Sequence, residues 1–364
     1  MSRVYLDHNA TTPLRGQARA AMVDAMDIIG NPSSVHAEGR AAKMLVERAR
    51  AQVAELVKCN PQQVVFTSSA TEAAALAVAQ KDRYGGTFTA LPTEHDCLGV
   101  WSEREIAPDF DRSGLALGAE RDWSGLVAVS AANSVTGIMR QGGCVAGSGE
   151  GYSAICDITQ LAGKAGIVYE HTTPSYAILS AHKIGGPKGI GALINFTADD
   201  PMPMLRGGGQ EMNRRSGTEN IIGIAGFGAA AAAGRADVAA EKWDEVAQLR
   251  NILENAIAAA SDQTIFVGNE ARRLPNTSCM LTPGWKGETQ VMQLDLAGFA
   301  ISAGSACSSG KVKASKVLMA MGYDEVEAAC AIRVSLGLET TQDDVTRFVD
   351  AWARMFEKHQ KRAA

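Results

Sequence analysis

The chain is poor in the features that mark membrane, secreted and nucleic-acid-binding proteins. No window approaches about 18 uninterrupted apolar residues, so no membrane span is expected. There is no excess of positive charge: 35 Lys and Arg stand against 40 Asp and Glu, a formal net charge of −5 at pH 7. That balance argues against broad binding to nucleic acid or to an anionic membrane. There is no basic-then-apolar leader; Met1-Ser2-Arg3 runs straight into strand-like Val4-Tyr5-Leu6, and no signal peptide is expected. None of the seven cysteines sits in a C-x-x-C pair. Their odd number in a long chain argues against a disulfide framework or a zinc site. No internal repeat is evident.

What is present is ordinary globular material. Of 364 residues, 46% are hydrophobic and 21% charged, enough for a sizeable core and for roughly two domains. Leu45, Ala49, Val53 and Leu56 step along one helix face. Short apolar runs recur at Val64–Thr67, Leu126–Ala131, Ala154–Cys156, Tyr176–Leu179 and Gly191–Ile194. Several are continuous rather than alternating, as parallel strands buried on both faces are. Helical patterns alternate with them, which predicts an α/β sheet. From about Asn220 to Ala260 the chain reads as helical, with a break near Gly234, and the boundary between a large α/β and a smaller α+β domain is expected there. Thr341-Gln342-Asp343-Asp344 predicts the capped start of a last helix. The Gly-rich stretch 142–151 is a poor helix former and is expected to be a loop.

Five places carry candidate chemistry. In Ser180-Ala181-His182-Lys183-Ile184-Gly185-Gly186-Pro187 a lysine follows an apolar run. A lysine at a strand end in a closed site can form a Schiff base, whereas one in open loop is merely solvated. Asp157 also ends an apolar run; a carboxylate there can pair with a cofactor's pyridinium nitrogen, or can serve a turn or helix cap. Ser68-Ser69-Ala70-Thr71-Glu72 lies between strand and helix, and suits either a phosphate or an ordinary Ser cap. The stretches Arg206–Gln210 and Arg215–Thr218 form a second candidate anion site. Cys307 lies among small polar residues, with Lys311, Lys313 and Lys316 nearby. It is either a reactive thiolate or an incidental surface thiol. Two familiar motifs fail: Gly304 to Gly310-Lys311 has five intervening residues and then Val312, so it is no P-loop, and Gly185–Gly191 lacks the dinucleotide spacing.

In their order along the chain these pieces resemble the cysteine desulfurases, fold-type I enzymes of the class V aminotransferase group. The nearest likeness is to the subgroup with a long cysteine-bearing loop that supplies sulfur for iron–sulfur clusters and nitrogenase. The resemblance spans nearly the whole chain. It runs through Tyr5–Pro13, Gly30–Ser34, Phe66–Glu72, Thr93-Glu94-His95, Asp157–Gln160, Ser180–Gly191, Gly207–Thr218, Gly304–Cys307 and Arg333–Gly337.

The resemblance implies a fold-type I transferase: a large domain with a mostly parallel mixed sheet, residues 15–250, and a small α+β domain, residues 1–14 and 251–364. It implies pyridoxal 5'-phosphate (PLP) held as a Schiff base on Lys183. His95 would stack on the ring, Asp157 pair with its nitrogen and Gln160 contact its phenolic oxygen. Ala70, Thr71, Ser180 and His182 match the phosphate cradle. Thr218 matches a residue reaching the partner subunit's phosphate, so a homodimer with shared active sites is implied. Arg333 would clamp the substrate carboxylate, with Asn133 and Ser134 beside it. The implied reaction turns L-cysteine into L-alanine: Lys183 moves the Cα proton and Cys307 takes the sulfur as a persulfide. A sulfur-acceptor or iron–sulfur scaffold protein and a cytoplasmic location follow, with neither nucleic acid nor membrane as partner. A related PLP lyase or aminotransferase, or a weakly active homologue serving as a scaffold, is the alternative.

The sequence also departs from the family pattern. Asn133-Ser134-Val135-Thr136-Gly137 has Val135 where the family carries a carboxylate. The stretch 142–151 replaces a helix, the span from His95 to Ser130 is short, and Lys164–Pro174 places Glu170 and His171 where apolar and Asp-rich residues are usual.

Overall fold

The computed structural model describes residues 3–107, 110–117, 124–140, 152–169, 173–304 and 314–363. Cys307, Lys311, Lys313 and the stretch 142–151 lie outside them. The strands are β1 (Val4–Tyr5), β2 (Val64–Thr67), β3 (Phe88–Ala90), β4 (Gly125–Ser130), β5 (Tyr152–Asp157), β6 (Tyr176–Ser180), β7 (Gly191–Asn195), β8 (Ile265–Phe266), β9 (Thr277–Leu281), β10 (Phe299–Ala300), β11 (Ser302–Ala303) and β12 (Ala331–Ser335). The helices are α1 (Gly16–Met26), α2 (Ala37–Val57), α3 (Ala70–Val78), α4 (Asp96–Gly99), α5 (Ile221–Ala239), α6 (Lys242–Ala260), α7 (Gly287–Leu296), α8 (Lys316–Ala320), α9 (Glu325–Ala328) and α10 (Gln342–Ala363).

A six-stranded sheet in the order β2-β7-β6-β5-β4-β3 forms the larger layer. Its β3 to β6 pair in parallel, while β7 runs antiparallel to both β2 and β6. The continuous apolar runs are explained by cover on both faces. Val64, Phe66, Ala177, Leu179, Ala192 and Ile194 turn toward α2 and α5. Val65, Tyr176, Ile178 and Leu193 turn the other way, onto α3. Gly191–Ile194 shares that apolar continuity yet is antiparallel, because cover on both faces fixes hydrophobicity and leaves direction open. Leu45, Ala49, Val53 and Leu56 of α2 are all buried, each such Val or Leu stabilising the fold by about 1.5–3 kcal/mol.

The helical stretch after Asn220 does not break at Gly234. α5 passes through it, and the chain turns at Glu241, which takes a left-handed conformation (φ 54°). A Cβ on Gly234 would lie 3.3 Å from the Cα of Gly163, so this glycine serves close packing rather than a helix end. α5 is the one helix among the described residues long and apolar enough to cross a membrane. It is Ala- and Gly-rich and packs on α1 and α2, where a Cβ on Gly228 would meet the Ala49 Cα at 2.6 Å. α10 starts as expected: Thr341 Oγ1 accepts the Asp344 N–H, and Asp344 Oδ2 accepts the Thr341 N–H (both 3.1 Å).

The second body of structure is a four-stranded sheet, β11-β12-β9-β8, beside the parallel pair β1-β10. Val4 and Leu6 share one core with Trp243, Trp285, Phe299, Val334, Phe348 and Trp352. The start of the chain is therefore packed among residues from its last third. Of the described cysteines, Cys59, Cys97, Cys279 and Cys330 are free thiols and Cys156 is disulfide-bonded. The count and spacing that argued against a disulfide framework missed this one bond, since sequence separation does not measure distance in the fold.

Candidate active site

The strands β2 to β6 of the large sheet end on one edge, where α/β proteins place their ligands. A cavity of about 290 Å³ opens there, and Ala70, Thr71, His95, Asp157, Lys183 and Arg333 line it. Asn133, Ser134, Gln160, Ser180 and His182 line it too. Of the described candidate site residues, only Thr218 is not among its walls; Cys307 lies outside the described residues.

Each wall has a local cause. β2 leads through Ser68 into α3, whose N-cap Ser69 accepts the Glu72 N–H (3.2 Å). The cap and anion-site readings of this segment are compatible, because Ser69 does the capping while Ala70 and Thr71 face the cavity. Gly191 on β7 makes room: a Cβ there would lie 2.6 Å from the Ser69 carbonyl carbon and 2.9 Å from the Ala70 nitrogen. The nine-residue α3 thus points its free N–H groups and positive dipole end into the cavity, as an anion requires.

His95 caps the short α4, its Nδ1 accepting the Cys97 N–H (3.1 Å). This bond assigns the proton of a neutral ring to Nε2. Beside it, Glu94 is buried, and both its oxygens are tied to Ser130, one by the backbone N–H at 2.8 Å and one by the hydroxyl. Burial pushes the Glu94 carboxyl up to about 8, so it holds its proton at neutral pH. Asp157 ends β5 next to Ser130 in register. Its Oδ1 accepts the Thr159 N–H at 2.8 Å.

Lys183 lies in the short turn after β6 and is half-buried. Its Nζ donates to the carbonyls of Asn9 (2.7 Å) and Ala10 (2.8 Å), so the solvated-loop alternative fails. The His182 Nδ1 lies 3.2 Å from Thr11 Oγ1. Burial, helped by Lys183 and Lys188, lowers the His182 pKa to about 4 and keeps its ring neutral.

Arg333 reaches the cavity from mid-strand in β12. Its Nη2 donates to Asp7 Oδ1 (2.8 Å) and Ser302 Oγ (3.1 Å), and its Nη1 to the Ser134 carbonyl (3.0 Å). The Arg333 Nε is buried and has no hydrogen-bond partner among the described residues. The Asn133 carboxamide is committed to backbone: Oδ1 accepts from Val135 and Thr136, and Nδ2 donates to the Thr93 carbonyl. Val135 packs with Ile138, Val267 and Leu281, an apolar setting in which a carboxylate would be costly.

The class-V aminotransferase family model matches residues 4–104 and 119–348. A cysteine desulfurase from Frankia sp. (strain EuIK1) is 35% identical over 389 residues, covering 96% of this chain and 90% of its own. The chain belongs to the cysteine desulfurase family. A second desulfurase, from Cereibacter sphaeroides, is 36% identical, covering 96% of this chain and 95% of its own. A solved NifS-like protein from Rickettsia africae ESF-5 superposes with a TM-score of 0.83 at 29% identity, over 98% of this chain and 99% of that one. Relatives this similar over most of the chain make it an enzyme of the cysteine desulfurase type, with the fold-type I architecture expected.

Against that family background, two pocket residues, Asn9 and Cys97, and two buried residues near it, Glu94 and Lys164, escaped the sequence reading. Asn9, Glu94 and Cys97 stand in or beside segments quoted for the resemblance, yet were given no role. Lys164 was grouped with a divergent stretch, although Gln160 and Lys164 are spaced by one helical turn. Thr218 is exposed and outside this chain's own pocket. It follows a turn in which Glu211, Met212 and Asn213 are all left-handed (φ 48°, 58° and 65°). A buried bidentate pair anchors that turn, Arg50 Nη1 and Nη2 each donating to Glu211 at 2.8 Å. Of the second candidate anion site, Arg215 is already paired with Glu72 (2.9 Å).

Proposed function

We propose that this member of the family is a PLP-dependent cysteine desulfurase that converts L-cysteine to L-alanine and passes the sulfur to Cys307 as a persulfide. One observation supports the reading above others. Lys183, Asp157, His95 and Arg333, drawn from four separate parts of the chain, line a single cavity.

The residues fit PLP. The α3 N-terminus, with Ala70 and Thr71, offers N–H donors for the phosphate, and Ser180 and the neutral His182 stand beside it. His95 would face the ring, Asp157 would hold the ring nitrogen and Gln160 the phenolic oxygen, with Lys183 as the covalent anchor. When bound, PLP supplies an electron sink for the substrate Cα.

The chain's own groups do the rest. Arg333, which lines the cavity, binds the substrate carboxylate through its guanidinium. Asp157 keeps a proton on the ring nitrogen. Lys183 Nζ takes the Cα proton and returns one. Asn133 and Ser134 line the substrate side of the pocket, with Ser134 holding Arg333 through its carbonyl. The Cys307 thiolate would form a bond to the substrate sulfur as the carbon–sulfur bond breaks; the electron pair of that bond stays with the substrate carbon, which gains a proton and leaves as the methyl group of alanine. The reading includes a homodimer in which Thr218 completes the partner's phosphate site, and a protein acceptor such as an iron–sulfur scaffold. It includes a cytoplasmic location and a division into residues 15–250 and 1–14 with 251–364. The shared core of Val4, Leu6 and the last third of the chain supports that division.

The test is release of alanine and sulfide from L-cysteine by the PLP-loaded protein with a reductant present. Equal release of both, with persulfide on Cys307 by mass spectrometry, is expected. Bound PLP without release of either product would overturn the reading.

A further inference from the structure

Lys164 is buried to 3% exposure behind the pocket. Its Nζ donates to Gln160 Oε1 (2.8 Å) and Asn9 Oδ1 (3.1 Å). Among the described residues it has no ion-pair partner, so both its bonds go to neutral carboxamides. Because Nζ is the donor in both bonds, the oxygens of Gln160 and Asn9 are turned toward it and their NH₂ groups away.

The consequences reach the pocket through two residues. With Oε1 held by Lys164, Gln160 Nε2 donates to the Asn9 carbonyl (3.0 Å), which leaves one further N–H on a side chain that lines the cavity. With Oδ1 held by Lys164 and by Asn276 Nδ2 (3.1 Å), Asn9 Nδ2 donates to Thr277 Oγ1 (2.9 Å). That pins the residue whose carbonyl receives Lys183 Nζ at 2.7 Å. The two lysines thus meet at opposite ends of one asparagine.

We propose that Lys164 is a positioning residue, orienting Gln160 toward the cofactor's phenolic oxygen and Asn9 toward Lys183. The proposal rests on the PLP reading above. The charged and titratable groups facing Lys164 are Lys183 from the turn after β6, Arg333 from β12 and His8 from the segment after β1. Burial and the first two hold the Lys164 pKa well below its usual value. Burial, and then Lys164, lowers that of His8 to about 4.

Both routes from Lys164 act on the Lys183 nitrogen with one sign. A donor at the phenolic oxygen draws charge away from the proton on that nitrogen, and any positive charge on Lys164 repels it. Removing Lys164 strengthens proton binding there.

The experiment is a pH titration of the visible absorption band of PLP-loaded protein. Lys164→Met is expected to move the midpoint up by about one pH unit, a tenfold change in proton affinity. Gln160→Leu is expected to move it the same way. The double variant is expected to exceed the larger single shift by less than the other single shift, since the two act in series. A folded Lys164→Met protein with the wild-type midpoint, or strictly additive shifts, would overturn the proposal. Should Lys164→Met fail to fold, Lys164→Gln is judged by the same criterion. A wild-type protein with no band, or a band that survives Lys183→Ala, overturns the PLP reading itself.

Discussion

The two sheets contribute to the pocket in different ways. The large sheet supplies its residues from strand ends and the turns that follow: Ala70 and Thr71 after β2, His95 after β3, Asp157 at the end of β5, Lys183 after β6. The small sheet supplies Arg333 from the middle of β12, opposite Cys279 on one side and Ser302 on the other. Strand ends are free to present backbone N–H groups and short side chains, which suits a cofactor. A mid-strand residue can reach only with a long side chain, which suits a substrate's distal carboxylate. Under the proposed function the difference would be a division of labour: the large sheet would hold PLP, and the small sheet, with Asn133 and Ser134 after β4, would recognise the substrate.

Four substitutions probe that division. Lys183→Ala should have the largest effect. Turnover is expected to fall by about 10³-fold or more, with no PLP adduct left after borohydride reduction; a surviving adduct would move the anchor elsewhere. Arg333→Lys should raise KM for L-cysteine by roughly 10- to 100-fold through loss of the planar fork, with PLP retained on gel filtration. Loss of PLP from this variant would erase the division. Gly191→Ala sharpens it from the other side. Its new Cβ meets backbone of Ser69, Leu179 and Ala70 within 3 Å, so denaturant melts should show a loss of about 1–3 kcal/mol. PLP affinity should weaken while KM changes little.

Glu94→Gln should be the mildest. The folded-state pKa of Glu94, about 8, lies above its ordinary 4.5. The native chain therefore keeps a proton that the unfolded chain releases, and stability from this group declines as pH rises from about 4.5 to 8. The glutamine variant removes that decline. Its stability profile over this range should differ in slope by about one proton, and an unchanged slope would show that Glu94 is ionised in the folded protein.

The same contrast governs what was legible in the sequence. Lys183 and Asp157 could be singled out as candidates without any relative, each with a loop or turn alternative beside it, because Asp157 ends an apolar run, Lys183 follows one, and strand ends gather on one edge. Arg333 was not. Nothing in Ala331–Ser335 sets it apart from a strand residue, and only the resemblance singled it out. Lys164 was missed because a buried lysine looks like a surface lysine in sequence; one of its hydrogen-bond partners, Asn9, lies 155 positions away. Asn9 was missed for the same reason, since its partners Thr277 and Ser335 come from the other end of the chain. Apolar continuity located β7 but not its direction, and a glycine read as a helix break at Gly234 turned out to be a point of close approach.

The segment from Val4 to Thr12 has a temporal consequence. Val4 and Tyr5 pair with Phe299 and Ala300, and Asn9 meets the Ser335 hydroxyl across 326 positions. On a ribosome adding about 5–20 residues per second, those partners arrive roughly 15 s to a minute after the segment itself. Until then Asn9 lacks its bonds to Asn276, Thr277 and Ser335, and Gln160, Lys164 and Lys183 are there to hold it. A chain truncated before its last strand would lack the contacts that complete the floor of the pocket beneath Lys183.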